Sequence, residues 1–261
     1  MPRAYGRAIW RLCCFAGITL LFIPFHWLLA KMKSPLCYPY GRFILSAWCR
    51  AVGYQITIRG KMTTKRPTLF VANHSSYIDI LVLGGIIPAR FVAKQEVAKW
   101  PFMGLCATNQ GTIYIERNRT AIADGMEKLL ACVEEGDSLI LFPEGTTTDG
   151  CRVLPFGSSF FDVAIIKNMT VQPITITYAG WDGLPMPRFM RKRCGWFSLD
   201  MDLGPHLWDL SQWGTIQVIV EFHPSLAPQN YNSRKELAHA AFQVVQEGLV
   251  NAFKHPKEAA A

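Results

Sequence analysis

Not one aspartate or glutamate precedes Asp79, although eleven lysines and arginines do. These are Arg3, Arg7, Arg11, Lys31, Lys33, Arg42, Arg50, Arg59, Lys61, Lys65 and Arg66; all 19 acidic residues and the other 16 basic ones of the 261-residue chain follow. The net charge of +8 is therefore the sum of a +11 first third and a −3 remainder. A nucleic-acid binder would spread its cations through polar helices and loops. Here they flank apolar runs, and no nucleic-acid partner is expected. Also absent are GxxxxGK[ST], GxGxxG after a strand-like run, and GxSxG. Their absence excludes the common nucleotide-loop and serine-hydrolase routes and leaves acid/base chemistry. The eight cysteines contain no CxxC pair, so they read as reduced, buried, small hydrophobes rather than a disulfide framework. None of the six histidines stands at a zinc-site offset from a cysteine pair, and no metal is expected. Repeats, low-complexity segments and long linkers are missing too.

What the first third does contain is apolar length. Leu12 to Ala30 is a run of 19 residues without a charge, and as a helix it would measure roughly 28 Å against a bilayer core of about 30 Å. Pro24 and His26 interrupt it, and a shorter apolar stretch, Phe43 to Val52, follows the Pro35/Pro39 break. A single spanning helix and a helical hairpin lying in one leaflet both fit. A signal peptide is the alternative reading of Arg3, Arg7 and Arg11 before an apolar core, but Leu28 stands where cleavage after Ala30 would want a small residue.

Downstream, short β-branched runs alternate with helical patterns, which predicts an α/β fold with a mixed sheet flanked by helices. Strands are predicted at Gln55–Arg59, Thr68–Ala72, Arg90–Ala93, Thr112–Glu116, Ser138–Phe142, Thr170–Thr177, Ser198–Leu203 and Ile216–Glu221. Helices are predicted at Ile78–Ile86, Thr120–Glu134, Ser159–Lys167 and Ser233–Lys254, the last opened by a Ser233/Glu236 capping box. Two regions result: basic, hydrophobic membrane-associating helices over 1–53 and an α/β domain over 54–261.

Polar clusters stand at four predicted strand ends, the usual position of a site in such a fold. After Thr68–Ala72 come Asn73, His74, Ser75, Ser76, Tyr77, Ile78 and Asp79. With His74 on the turn and Asp79 in the first helical turn, the carboxylate can fold back onto the imidazole and make it a general base. The same residues also suit plain helix capping and dipole neutralisation, and on their own they leave both readings open. Glu144, Gly145 and Thr146 form a turn whose amides and hydroxyl suit phosphate oxygens. Arg117 offers a bidentate guanidinium, and Lys94 a further cation. Together these ends describe one crevice able to hold a phosphate near a base.

Four blocks, Asn73–Asp79, Gly111–Arg117, Phe142–Thr146 and Val171–Ile176, together with Phe91–Lys94, resemble the 1-acylglycerol-3-phosphate acyltransferases of the glycerolipid acyltransferase superfamily. The resemblance spans about residues 70–180. It implies acyl transfer from a thioester, acyl-CoA or acyl carrier protein, to the free sn-2 hydroxyl of a lysophospholipid, giving phosphatidic acid. His74 would take the hydroxyl proton, Asp79 would hold and polarise His74, and Arg117, Glu144, Gly145 and Thr146 would bind the acceptor. Pro173 lies in a block assigned to the acyl or donor side. Backbone N–H groups near Gly145 would stabilise the oxyanion. No cofactor, metal or covalent acyl-enzyme is implied. The expected setting is a bacterial-type inner membrane with the catalytic domain on the cytoplasmic side, against an anionic leaflet.

Thr147 and Gly157 depart from the family, which often carries Arg or Ser and Lys at those places. That loss of cations makes O-acylation of lyso-ornithine lipid, an acceptor without the phosphate, the alternative. A lipid-binding module without turnover and a hydrolase of the same thioester are further alternatives. Arg188, Arg191, Lys192 and Arg193, set among Trp181, Phe189 and Trp196, suit either a solvated loop or a contact with anionic head groups or an acidic carrier protein. His206, His223 and His239 show no partner spacing and read as structural.

Overall fold

The apolar N-terminal run does not stop at Pro24. In the computed structural model, which describes residues 4–100, 103–116, 119–197 and 201–254, α1 (Tyr5–Lys31) is one helix of 27 residues, about 40 Å long. Pro24 only removes one donor from its ladder. A short turn leads into α2 (Cys37–Ala51), which runs back along α1. Ring contacts mark the antiparallel register: Phe15 on Trp48 at 5.0 Å, Phe22 on Phe43 at 5.5 Å, Phe25 on Tyr40 at 5.1 Å. The outer face of α1 leaves Trp10, Leu20 and Leu21 exposed at 70, 77 and 70%. Length and hydropathy are those of a helix able to cross a membrane, and an apolar surface of this kind marks membrane association.

The strands are β1 (Tyr54–Gly60), β2 (Thr68–Ala72), β3 (Arg90–Lys94), β4 (Ile113–Ile115), β5 (Leu139–Leu141), β6 (Thr170–Trp181), β7 (Leu184–Pro185) and β8 (Ile216–Phe222). They form one mixed sheet in the order β1-β8-β6-β2-β5-β3-β4, with β7 paired to β6. β6, β2, β5, β3 and β4 are mutually parallel neighbours, while β8 is antiparallel to β6 and parallel to β1. Because β2, β5, β3 and β4 point the same way, their carboxyl ends share one edge.

Alternation along β2 divides the core. Phe70 and Ala72 face α2 and α3 (Ile78–Ile86), with Trp48, Val82, Ile176 and Val218 in the same cluster. Leu69 and Val71 face α5 (Arg119–Glu134), α6 (Asp162–Ile166) and α9 (Arg234–Lys254), with Leu129, Val163 and Leu237. α2 meets α3 closely: a side chain on Gly84 would come within 2.6 Å of Leu45, and one on Gly85 equally near Ser46. The start of the sheet at residue 54 is therefore no break in packing, since α2 buries Ile44, Leu45, Trp48 and Cys49 against the sheet layer.

Several elements differ from the sequence expectation. The predicted Ser159–Lys167 helix divides into a 3-10 turn, Ser159–Phe161, and α6. No strand occupies the described part of 198–203: residues 198–200 lie outside the described residues, and Leu203 opens α8 (Leu203–Ser211). α4 (Met103–Asn109), α7 (Arg188–Cys194) and α8 were not predicted, being seven to nine residues long, too short for a clear period. At α9, Ser233 Oγ accepts from Glu236 N–H at 3.3 Å, but the Glu236 carboxylate reaches Asn232 rather than Ser233.

Some of the excess positive charge is used inside the fold. Arg11 donates to the carbonyls of Trp213 and Gly214, at 2.9 and 3.1 Å, tying α1 to the residues just after α8. Arg42 donates to Ile86 O at 2.6 Å, at the end of α3.

Candidate active site

β2 ends at Ala72, and the next residue behaves like one more strand residue. Asn73 uses its side chain for the pairing, donating from Nδ2 to Ile176 O at 2.9 Å and accepting at Oδ1 from Ile176 N at 2.8 Å. Buried at 2% exposure, this amide fixes where the chain leaves the sheet, and His74 follows on the turn.

Every direction around His74 is occupied but one. Its N–H donates to Glu144 Oε1 at 2.7 Å, and its C=O accepts from Thr148 N at 2.9 Å. The imidazole lies on the Phe142 ring, with centroids 4.0 Å apart and planes 13° from parallel. Nδ1 meets Asp79 Oδ2 at 2.9 Å. A carboxylate there makes Nδ1 the protonated nitrogen and leaves Nε2 as an acceptor. The imidazole is 17% exposed, open enough for a substrate group.

Asp79 is fully buried and accepts on both oxygens. Oδ2 takes Ser75 N at 2.7 Å and Ser76 N at 2.9 Å as well as His74, while Oδ1 takes the Tyr178 hydroxyl at 2.7 Å. The two amides belong to the turn before α3, so the positive end of that helix also faces the carboxylate. The five-residue separation of His74 and Asp79 thus works as the fold-back geometry, with His74 outside the helix and Asp79 in its first turn.

The remaining expected residues are placed unevenly. Glu144 Oε1 and Oε2 accept from His74 N and Leu154 N, at 2.7 and 2.8 Å, which ties the loop after β5 to the turn that carries His74. Gly145 takes φ +68°, the left-handed region that favours glycine; its N–H donates to Phe142 O at 3.1 Å. Thr146 is exposed beside it. Lys94 is exposed at the end of β3, in register with Ile115, two strands and roughly 10 Å from β2. Arg117 lies outside the described residues. Pro173 is buried in mid-sheet beside Val71, its carbonyl accepting from His223 N at 3.0 Å.

Burial pushes the Glu144 carboxyl up to about 7, against the two N–H groups that favour its ionised form. A carboxyl held above its ordinary value of 4.5 binds protons more tightly folded than unfolded. The folded state therefore loses stability as pH rises from about 4.5 to about 7, by about 3 kcal/mol, and the contribution is level above. Glu144→Gln should remove that slope from a stability-against-pH series. With one acceptor instead of two, it should also lower kcat about tenfold at pH 8; an unchanged slope and rate would refute the bridging role.

Sequence reasoning missed Tyr178, Thr148 and Phe142 as parts of this site. Tyr178 could have been reached by extending the predicted strand one residue, in phase with Ile174 and Ile176. Of the basic cluster Arg191 turns inward, donating to Tyr178 O and Met186 O, whereas Arg188, Lys192 and Arg193 are exposed, with Lys192 3.5 Å from Asp149 and Arg193 on both oxygens of Asp209 at 2.7 and 2.8 Å. His206 accepts at Nδ1 from Tyr77 and donates from Nε2 to Arg193 O, as a structural histidine does. Next to the turn an apolar cavity runs from Tyr77, Phe91 and Trp100 toward Ile44 and Ile23. A separate hollow of about 230 Å³, lined by Lys65, Arg66 and Ser138, lies at the opposite edge of β2 and β5. Among the described residues no cluster of His, Cys, Asp and Glu could hold a metal ion.

A mixed α/β sheet that carries a His/Asp pair at the carboxyl ends of its parallel strands suits an enzyme working by acid/base chemistry. A family model described as Acyltransferase matches residues 55–177, and a lyso-ornithine lipid O-acyltransferase of Brucella abortus is 34% identical over 234 residues, 85% of this chain and 86% of its own. The chain belongs to the acyltransferase family. A 1-acyl-sn-glycerol-3-phosphate acyltransferase of Neisseria meningitidis is 30% identical over 141 residues, 53% of each chain. The crystal structure of PlsC, the 1-acyl-sn-glycerophosphate (LPA) acyltransferase of Thermotoga maritima, shares the fold with a TM-score of 0.69 over 95% of both chains, at 20% identity.

Proposed function

We propose that this membrane-associated acyltransferase transfers a fatty acyl group from a thioester to the free hydroxyl of lyso-ornithine lipid. One observation carries the choice of acceptor. Similarity to the lyso-ornithine lipid enzyme extends over 85% of the chain, whereas similarity to the 1-acylglycerol-3-phosphate enzyme covers 53% of it. Lysophosphatidate, the acceptor first expected from the motifs, becomes the second reading. The missing cations at Thr147 and Gly157 point the same way, and Thr147 is turned inward onto Trp196 O at 2.5 Å.

His74 Nε2 takes the proton of the acceptor hydroxyl as its oxygen attacks the thioester carbonyl. Asp79 stabilises the imidazolium that forms. The tetrahedral intermediate collapses by breaking the C–S bond, and the departing thiolate takes the proton back from His74, so that ester and free thiol are the products. Lys94, at the end of β3, supplies positive charge for the head-group carboxylate of the acceptor, and Arg117 is assigned the same task from its motif; Thr146 offers a hydroxyl at the mouth. Glu144 and Gly145 shape the wall. The apolar cavity beside Tyr77 and Trp100 suits acyl chain. The donor is acyl-CoA or acyl carrier protein, no cofactor takes part, and the hairpin of α1 and α2 holds the site at the cytoplasmic side of the membrane.

The test supplies purified protein in mixed micelles with acyl-CoA or acyl carrier protein and follows free thiol. Release that requires lyso-ornithine lipid, and runs at least tenfold slower with 1-acylglycerol-3-phosphate, is expected. The reverse order would establish the second reading, and release without any acceptor would make the protein a thioester hydrolase.

A further inference from the structure

The Asp79 carboxylate is held at both oxygens, and the donor on the second oxygen fixes the plane in which the first meets His74. Its Oδ2 faces the turn, with His74, Ser75 and Ser76, and its Oδ1 faces the sheet, where the Tyr178 hydroxyl donates at 2.7 Å. Tyr178 sits on β6, two strand-residues beyond Ile176, the residue that grips Asn73. The pairing of β6 with β8 shifts register between Tyr178 and Gly180, a local irregularity of the kind that aims a side chain near a site.

We propose that Tyr178 is a positioning residue for acyl transfer, its phenol locking the second oxygen of Asp79 so that the first stays aimed at His74 Nδ1. The inference rests on the reading of His74 as the general base. Burial and two further contacts hold the residue in place. Tyr178 is 2% exposed. Its backbone carbonyl accepts from Arg191 Nε at 3.2 Å. Its ring meets the edge of Tyr54 at 6.4 Å and 77°. Burial, and then the charge of Asp79, push the phenol well above its ordinary value, so it remains a donor throughout the working pH range.

Removal of this donor has a directional consequence. Loss of a hydrogen bond made to the ionised carboxylate makes its protonation easier. That moves the acid limb of kcat/KM to higher pH. The other titratable groups around this pair are the Cys194 thiol and the Tyr54 phenol, both pushed up by burial, and Glu144, which senses the Asp79 charge. All three are unchanged in Tyr178→Phe.

Tyr178→Phe should lower kcat about tenfold, leave the acceptor KM within twofold, and shift the acid limb upward by half a pH unit or more, with a melting temperature near wild type. A variant with 3-fluorotyrosine at 178, whose phenol is a stronger donor, should move the limb downward and serves if the phenylalanine variant is unstable. Wild-type kcat with an unmoved limb in both variants overturns the proposal, as does a kcat loss that comes only with lost thermal stability. His74→Ala, measured alongside, separates the two levels. Wild-type rates from it defeat the general-base reading itself, whereas an inactive His74→Ala with an unaffected Tyr178→Phe defeats only the role of Tyr178.

Discussion

His74→Ala is expected to lower kcat by a factor on the order of 10³ while leaving the fold and membrane association intact. The reason for the separation is that the turn is held by His74's backbone, not by its ring. Its N–H and C=O are gripped by Glu144 and Thr148, and both bonds survive truncation. Asp79 would still accept from Ser75 N, Ser76 N and the Tyr178 hydroxyl, so no buried charge is stranded. What disappears is Nε2, the nitrogen that the proposed mechanism uses to accept the hydroxyl proton. The measurement is thiol release with saturating lyso-ornithine lipid, beside a melting curve. A soluble, folded variant at wild-type rate would eliminate His74 as the base. Loss of melting temperature by many degrees would instead show that Phe142 and the turn depend on the imidazole for packing.

The parts of this fold that were legible beforehand are those in which one face decides the sequence. β2 reads as a continuous apolar run because it is buried on both faces, with Leu69 and Val71 against one layer and Phe70 and Ala72 against the other. α3 was bounded correctly, from Ile78 to Ile86, since polar residues precede it and Pro88 follows. α7 and α8 were not legible. Their place is set by tertiary partners, Arg191 on the β6 carbonyl of Tyr178 and Arg193 on Asp209, and no local pattern announces such bonds. The site shows the same division. The His74/Asp79 spacing carries its own geometry, but Tyr178 enters from a strand 99 residues away, and only the assembled sheet places its hydroxyl on the carboxylate. Glu144 was legible as part of the crevice through its motif, whereas its two backbone partners follow from the loop that closes around it.

The cationic first third has a comparable history. As bare charge it suggested an arm against an anionic leaflet, yet Arg11 and Arg42 turn inward to carbonyls of the body. Those two cations serve the packing of the body, while the exposed apolar face of α1, with Trp10, Leu20 and Leu21, adds an apolar surface for membrane association to the cations that remain exposed. The absence of carboxylates before Asp79 remains consistent with both, since an acidic side chain on this hairpin would oppose an anionic surface and apolar lipid alike.

Asp79→Asn should cost a further large factor, on the order of 10³ in kcat, without the unfolding that Asp79→Ala would bring. Asparagine is nearly the same shape, and its single carbonyl oxygen can take the place of Oδ2, accepting from His74 Nδ1, Ser75 N and Ser76 N. Its amide nitrogen then faces Tyr178, whose hydroxyl can turn from donor to acceptor. Geometry is retained and only the charge is lost, so the imidazolium formed during proton transfer is no longer stabilised. Alanine would leave the N–H groups of Ser75 and Ser76 unpaired at positions that are 1% and 0% exposed, each costing about 1–3 kcal/mol. The two variants therefore part in a defined way: asparagine loses rate with a nearly unchanged melting temperature, and alanine loses both. An Asp79→Asn protein that keeps more than a tenth of wild-type kcat would show that the charge is dispensable and that Asp79 serves the turn alone.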